Sequence, residues 1–155
     1  MATPRRTATA RHKAACRRAP QAGRRSARSP VDRLRAICLA LPESTEKIAW
    51  GEPTWRVRGK LFAQLDDHHH GADHLAVWLP APLGEQEVMV FTDPARFFRP
   101  PYVGARGWVG VRIDDKVDWA VVSRLVAQAY GLVAPPRLRE ALDATPPSSG
   151  RARKG

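Results

Sequence analysis

Four histidines and three aspartates crowd one nine-residue stretch, Asp66-Asp67-His68-His69-His70-Gly71-Ala72-Asp73-His74. Imidazoles and carboxylates together suit zinc, nickel or iron. Neighbours on a single loop diverge, however, and no spaced pair on a rigid helix or strand accompanies them. The run therefore reads as a solvated hairpin loop. His68, His69, His70 and His74 are at most weak, adventitious metal ligands, and no cofactor is implied.

A second concentration lies between Arg96 and Trp108. It holds three arginines (Arg96, Arg99, Arg106) and four aromatics (Phe97, Phe98, Tyr102, Trp108) in an irregular segment. Binding residues often sit on such loops, and the guanidinium fork matches phosphate. The bland alternative is an ordered loop whose aromatics plug the edge of the core. Gly104, Gly107 and Gly110 do not form a dinucleotide fingerprint, because their spacing is wrong and a strand follows them where a helix should.

Trp78 and Trp108 share the outward parity of their strands with Arg112. Aromatic platforms beside arginines suit the stacking of unpaired bases. The competing reading buries both tryptophans in a second small core under the loop of residues 93–106, as large aromatics usually are. With Arg56 and Arg58 on the preceding hairpin, the nucleic-acid candidates are Arg56, Arg58, Trp78, Arg99, Tyr102, Arg106, Trp108 and Arg112. No catalytic constellation accompanies them. Cys38 falls on an apolar helix face, and no serine occupies a nucleophile-elbow context. The chain is expected not to be an enzyme.

The elements that must hold these groups follow from local pattern. Ser29-Pro30-Val31-Asp32 reads as a helix start with proline at the first position, and Val31, Leu34, Ile37, Cys38 and Leu41 recur at helical spacing. Residues 45–50 form a short strand. Thr54–Arg58 and Leu61–Asp66 form a hairpin around Gly59. A two-residue turn there would group Trp55 and Val57 with Phe62, whereas a three-residue loop would group them with Leu61, Ala63 and Leu65. Residues 74–79 and 107–113 alternate as strands, and 83–91 form a short helix. Asp118 caps a long helix whose stripe is Trp119, Val122, Val126, Ala129 and Val133, stopped by Pro135-Pro136. The order predicts an α+β fold: an antiparallel sheet of about five strands, two main helices on one face and the other face open to solvent.

The chain has 155 residues and a formal charge of +11, enough length for one domain. The charge is unevenly placed. Residues 1–28 carry nine of the 26 basic residues and no acid, and Arg151, Arg153 and Lys154 add three more at the other end. Residues 31–142 hold the other 14 basic residues against 14 of the 15 acids, so they are balanced. The reading is a basic disordered arm at 1–28, one domain at 29–142 and a basic disordered tail at 143–155. Such arms bind polyanions without sequence preference. Two cysteines, Cys16 and Cys38, make no disulfide framework. With no apolar run long enough for a membrane span and no secretory h-region, a cytoplasmic protein with no membrane partner is expected.

Several segments carry a family resemblance: Leu39-Ala40-Leu41-Pro42-Glu43, the stretch from Gly51-Glu52-Pro53-Thr54-Trp55 to Ala63, Arg99-Pro100-Pro101-Tyr102-Val103-Gly104 with Arg106-Gly107-Trp108, and the helix from Asp118-Trp119 to Tyr130-Gly131-Leu132-Val133. Residues 31–133 resemble the MmcQ/YjbR family of small bacterial proteins. The resemblance implies a frataxin/CyaY-like fold with two long helices on an antiparallel sheet, a DNA-binding label and no assigned catalytic residues. The acidic ridge of frataxins has no counterpart on the first helix, whose only acid is Asp32. The functional expectation is DNA or other polyanion binding, through the arms, the arginine-aromatic loop and the sheet face. The alternative is a small-molecule- or metal-binding regulatory domain, which a concave pocket lined by Trp78, Tyr102 and Trp108 would favour.

Overall fold

The computed structural model describes residues 28–69, 71–114 and 116–144. The arm over 1–27, His70 and most of the tail lie outside the described residues. Helix α1 (Pro30–Leu39) starts as its sequence dictates, with Ser29 Oγ accepting from the Asp32 backbone N–H at 3.1 Å. Strands β1 (Ser44–Ala49), β2 (Glu52–Val57), β3 (Lys60–Asp67) and β4 (Leu75–Pro80) follow as a meander. Helix α2 (Glu85–Thr92) leads to β5 (Phe97–Phe98), a single 3₁₀ turn at Gly104–Arg106, and β6 (Trp108–Arg112). Helix α3 (Trp119–Val133) is capped by Asp118, whose carboxylate accepts from the N–H groups of Ala120 and Val121.

The six strands form one antiparallel sheet in the order β1-β2-β3-β4-β6-β5. The sixth strand, β5, comes from inside the segment that reads as loop. It is only two residues long and alternates over too short a span to be recognised by period.

The β2–β3 hairpin combines both of the registers its sequence allows. Arg58 (φ 50°) and Gly59 (φ 77°) make a two-residue turn, and Val57 pairs with Lys60. Two positive φ values give the turn whose twist suits a hairpin. The register then shifts between Trp55 and Arg56, so Trp55 pairs with Ala63 and Phe62 is the extra residue of a bulge. Phe62 and Ala63 are consequently both buried.

Helices α1 and α3 cover the face that carries Trp55, Leu65, Val77, Leu79, Val109 and Val111. Tyr130 of α3 meets Phe62 edge-on, with centroids 5.4 Å apart, and its hydroxyl donates to the Pro42 carbonyl at 2.7 Å. Tyr130 thus joins the buried stripe, while Trp119 and Val133 at its ends are half-buried. A fourth helix, α4 (Pro136–Asp143), begins at the second of the two prolines. Pro136 ends nothing here: it occupies the first turn of α4, where its missing N–H costs no hydrogen bond. Leu138 seats α4 on the core, and the helix runs through Asp143, the first residue assigned to the tail.

Candidate functional site

The sheet face turned away from α1 and α3 is not uniformly open. Along it the ladders align Thr54, Gln64, Trp78, Gly110 and Phe98 in one row and Asp66, Ala76 and Arg112 in the next. At the β2–β3–β4 end this face forms a cleft of about 450 Å³, lined by Trp50, Glu52, Gln64, Leu65, Asp66, His69, Trp78, Tyr102 and Val103. Strands supply its floor, and three connections supply its rim. Trp50 belongs to the β1–β2 turn, His69 to the β3–β4 loop, and Tyr102 and Val103 to the segment between β5 and β6.

Two of the rim residues are held in uncommon conformations. Trp50 (φ 54°) and Tyr102 (φ 63°) both occupy the left-handed region, which non-glycine residues rarely adopt. Both residues are also largely exposed, at 74% and 79%. Trp78 below them is only 3% exposed.

Two carboxylates sit at one end of the cleft. Glu52 is 8% exposed and Asp66 4%. His69 Nδ1 lies 2.6 Å from Glu52 Oε1, and the His69 backbone N–H donates to Asp66 Oδ1 at 3.3 Å. His74 Nε2 approaches Asp66 Oδ2 at 3.7 Å, and its ring packs on Phe98. Burial pushes the Glu52 carboxyl above its usual range, opposed by the charge of His69 beside it. The histidine run is therefore tied to the sheet through its neighbouring acids. His68 pairs with Asp67, and among the described residues no group of three or more histidines, cysteines and acids converges as a metal site would.

The loop that carries Tyr102 is pinned by Gln86 and Gly110, which are not among the sequence candidates, and by Arg112, which is. Gln86 of α2 is buried, and its amide donates to the carbonyls of Gly104, at 2.8 Å, and Trp108. Gly110 is required by Phe98: a Cβ on Gly110 would lie 2.3 Å from the Phe98 ring. Arg112 donates to the carbonyls of Pro94 and Ala95 and stands 5.0 Å from the Phe98 ring centroid. Its partners are thus within the protein.

The structure distributes the remaining nucleic-acid candidates. Trp78 and Tyr102 share the cleft. Trp108, half-buried, pairs with Pro80 across the β4–β6 ladder. Arg58 donates to Glu43 at 3.0 Å, and Arg56 to the Gly59 carbonyl. Arg99 lies over the Gly104 backbone, its Cγ 2.6 Å from where a Cβ there would be. Arg99 and Arg106 are exposed and in no ion pair among the described residues. The pocket anticipated from Trp78, Tyr102 and Trp108 thus exists with the first two; Trp50, Glu52 and Gln64 are not singled out by the sequence as site residues, and Asp66 only as part of the histidine-rich stretch. Gln64 and Asp66 share a strand parity that could have shown them, but only with the register known.

A family model for YjbR matches residues 39–132. The chain belongs to the YjbR family. No curated protein matches it. The crystal structure of Deinococcus radiodurans protein DR2400, a DUF419 domain, is similar with a TM-score of 0.60 and 22% identity, over 80% of this chain and 95% of that one. That likeness supports the α+β fold. The YjbR match includes most of the cleft's framework, from β1 to α3. Among the described residues no helix is long and apolar enough to cross a membrane.

Proposed function

We propose that this YjbR-family protein is a non-catalytic nucleic-acid-binding protein. Its basic termini supply attraction for phosphate, and its folded domain adds Arg99 and Arg106 from one loop. The partition of charge carries this reading: nine basic residues and no acid in residues 1–28, against a balanced 31–142. Such a distribution releases counterions from a phosphate backbone without reading bases. Arg99 and Arg106 are solvent-exposed cations with no acidic partner among the described residues, so they are available to phosphate oxygens. Arg58 and Arg112 already have partners and contribute less. Cys38 is fully buried, its thiol pushed up mainly by burial, which fits no nucleophilic role.

The test is the salt dependence of duplex binding, read by fluorescence anisotropy. Full-length protein is expected to bind duplexes of unrelated sequence alike, with log affinity falling steeply against log salt. Removing residues 1–28 should flatten that slope by up to about 8, roughly 0.9 for each phosphate no longer neutralised. Arg99→Gln with Arg106→Gln in the full chain should flatten it by up to about 2. A slope unchanged by removal of the arm, or no duplex binding at low salt, refutes the proposal.

A further inference from the structure

The cleft on the sheet face is chemically unlike the rest of this basic protein. Its walls are aromatic, with Trp50 and Tyr102 at the mouth and Trp78 beneath. It holds two carboxylates, Glu52 and Asp66, both more than nine-tenths buried, with His69 beside Glu52. Gln64 adds an amide to the floor. A volume of about 450 Å³ falls in the range of small-molecule sites, roughly 300–1,000 Å³. An anionic ligand such as nucleic acid would meet two carboxylates here.

We infer that this cleft binds a small organic ammonium ion, held between the rings of Trp50, Trp78 and Tyr102 with its charge toward Glu52 and Asp66. Ring faces attract a cation through their quadrupole, and the attraction grows where water is excluded. Buried carboxylates add a Coulombic attraction that bulk solvent screens poorly. An alkylated ammonium suits the site better than a metal ion. It has an apolar surface to set against the rings and is only weakly hydrated, whereas a divalent metal needs several converging ligand atoms. His69 Nδ1, 2.6 Å from Glu52 Oε1, shares this end of the cleft. Trp50 and Tyr102, both with left-handed backbone, line the cleft from two separate connections.

The experiment uses the full chain and two probes of nearly equal shape, choline and its uncharged carbon isostere 3,3-dimethylbutan-1-ol, followed by calorimetry and saturation-transfer NMR. Choline is expected to bind, and the isostere at least about tenfold more weakly, since only the charge differs. Trp50→Ala and Tyr102→Ala alter exposed rim residues and should each weaken choline binding about tenfold without lowering the melting temperature. Glu52→Gln should do the same, and its fold is checked by circular dichroism. Equal binding of the two probes would overturn the inference in favour of a plain apolar pocket. Absence of choline binding at millimolar concentration, or choline binding untouched by all three variants, would also overturn it. None of these outcomes depends on DNA binding.

Discussion

Replacing Gly110 by alanine perturbs one defined contact. A Cβ at this position would lie 2.3 Å from Phe98 Cζ and 2.5 Å from both Cε atoms. Because the whole far end of the ring is in the way, turning it about its own axis gives no relief. Strand β5 must shift or the ring must leave its place, and the ring is also packed on His74, with centroids 4.6 Å apart, and under Arg112. Overpacking of this kind costs about 1–3 kcal/mol. For a domain of this size that corresponds to a fall in Tm of roughly 5–15 °C. Thermal unfolding of the wild type, Gly110→Ala, Phe98→Ala and the double variant forms a cycle. With the ring gone, Gly110→Ala should cost almost nothing, giving a coupling of at least about 1 kcal/mol. A Gly110→Ala protein within about 0.5 kcal/mol of the wild type, or one equally damaged with and without the ring, would refute the assignment of Gly110 as the seat of Phe98.

Gln86→Leu removes the donor shared by the Gly104 and Trp108 carbonyls; it should cost about 1–3 kcal/mol and speed amide exchange in residues 99–107, measured by hydrogen exchange. Glu46 accepts from Arg35 Nε at 2.8 Å and from the indole N–H of buried Trp55 at 3.0 Å. Glu46→Ala leaves that indole unpaired and should lower stability by about 1–3 kcal/mol in urea unfolding, while Arg58→Ala, which breaks an exposed pair with Glu43, should change it by less than about 0.5 kcal/mol. Burial, and secondarily the charge of Glu46, raises the Cys38 thiol above its usual range. A raised folded-state value means that the unfolded chain ionises first. Stability is therefore full below about pH 8.5 and declines above it, with Tyr130, raised by its own burial, extending the decline above about pH 10. Urea midpoints between pH 7 and 9.5 should fall for the wild type and fall less for Cys38→Ala; parallel curves would contradict this.

The elements are legible in the chain because they depend on neighbours a few residues apart. The Ser29 and Asp118 caps, the Gly59 turn, the alternation of Leu75, Val77 and Leu79 and the stripe at Val122, Val126 and Ala129 are all local signals, and each stands in the structure. The charge partition is likewise a property of sequence alone. Local signals fade where an element is short or where a breaker residue begins something new. Hence β5, two residues long, reads as loop in the sequence, and Pro136, which reads as a stop, opens α4.

The tertiary structure decided everything that depends on register. Trp55 faces Ala63 only because a bulge at Phe62 absorbs one residue, and that bulge satisfies long-range packing on Tyr130. The cleft required Trp50, Glu52, Asp66, Trp78 and Tyr102 to meet from four separate segments. No spacing along the chain encodes that meeting, because it follows from strand pairing and from Gln86, Gly110 and Arg112 holding the loop in place. Side-chain type set what chemistry was available, and the sheet selected which of those groups share one surface, turning a chain of net positive charge into a domain with an acidic, aromatic cleft.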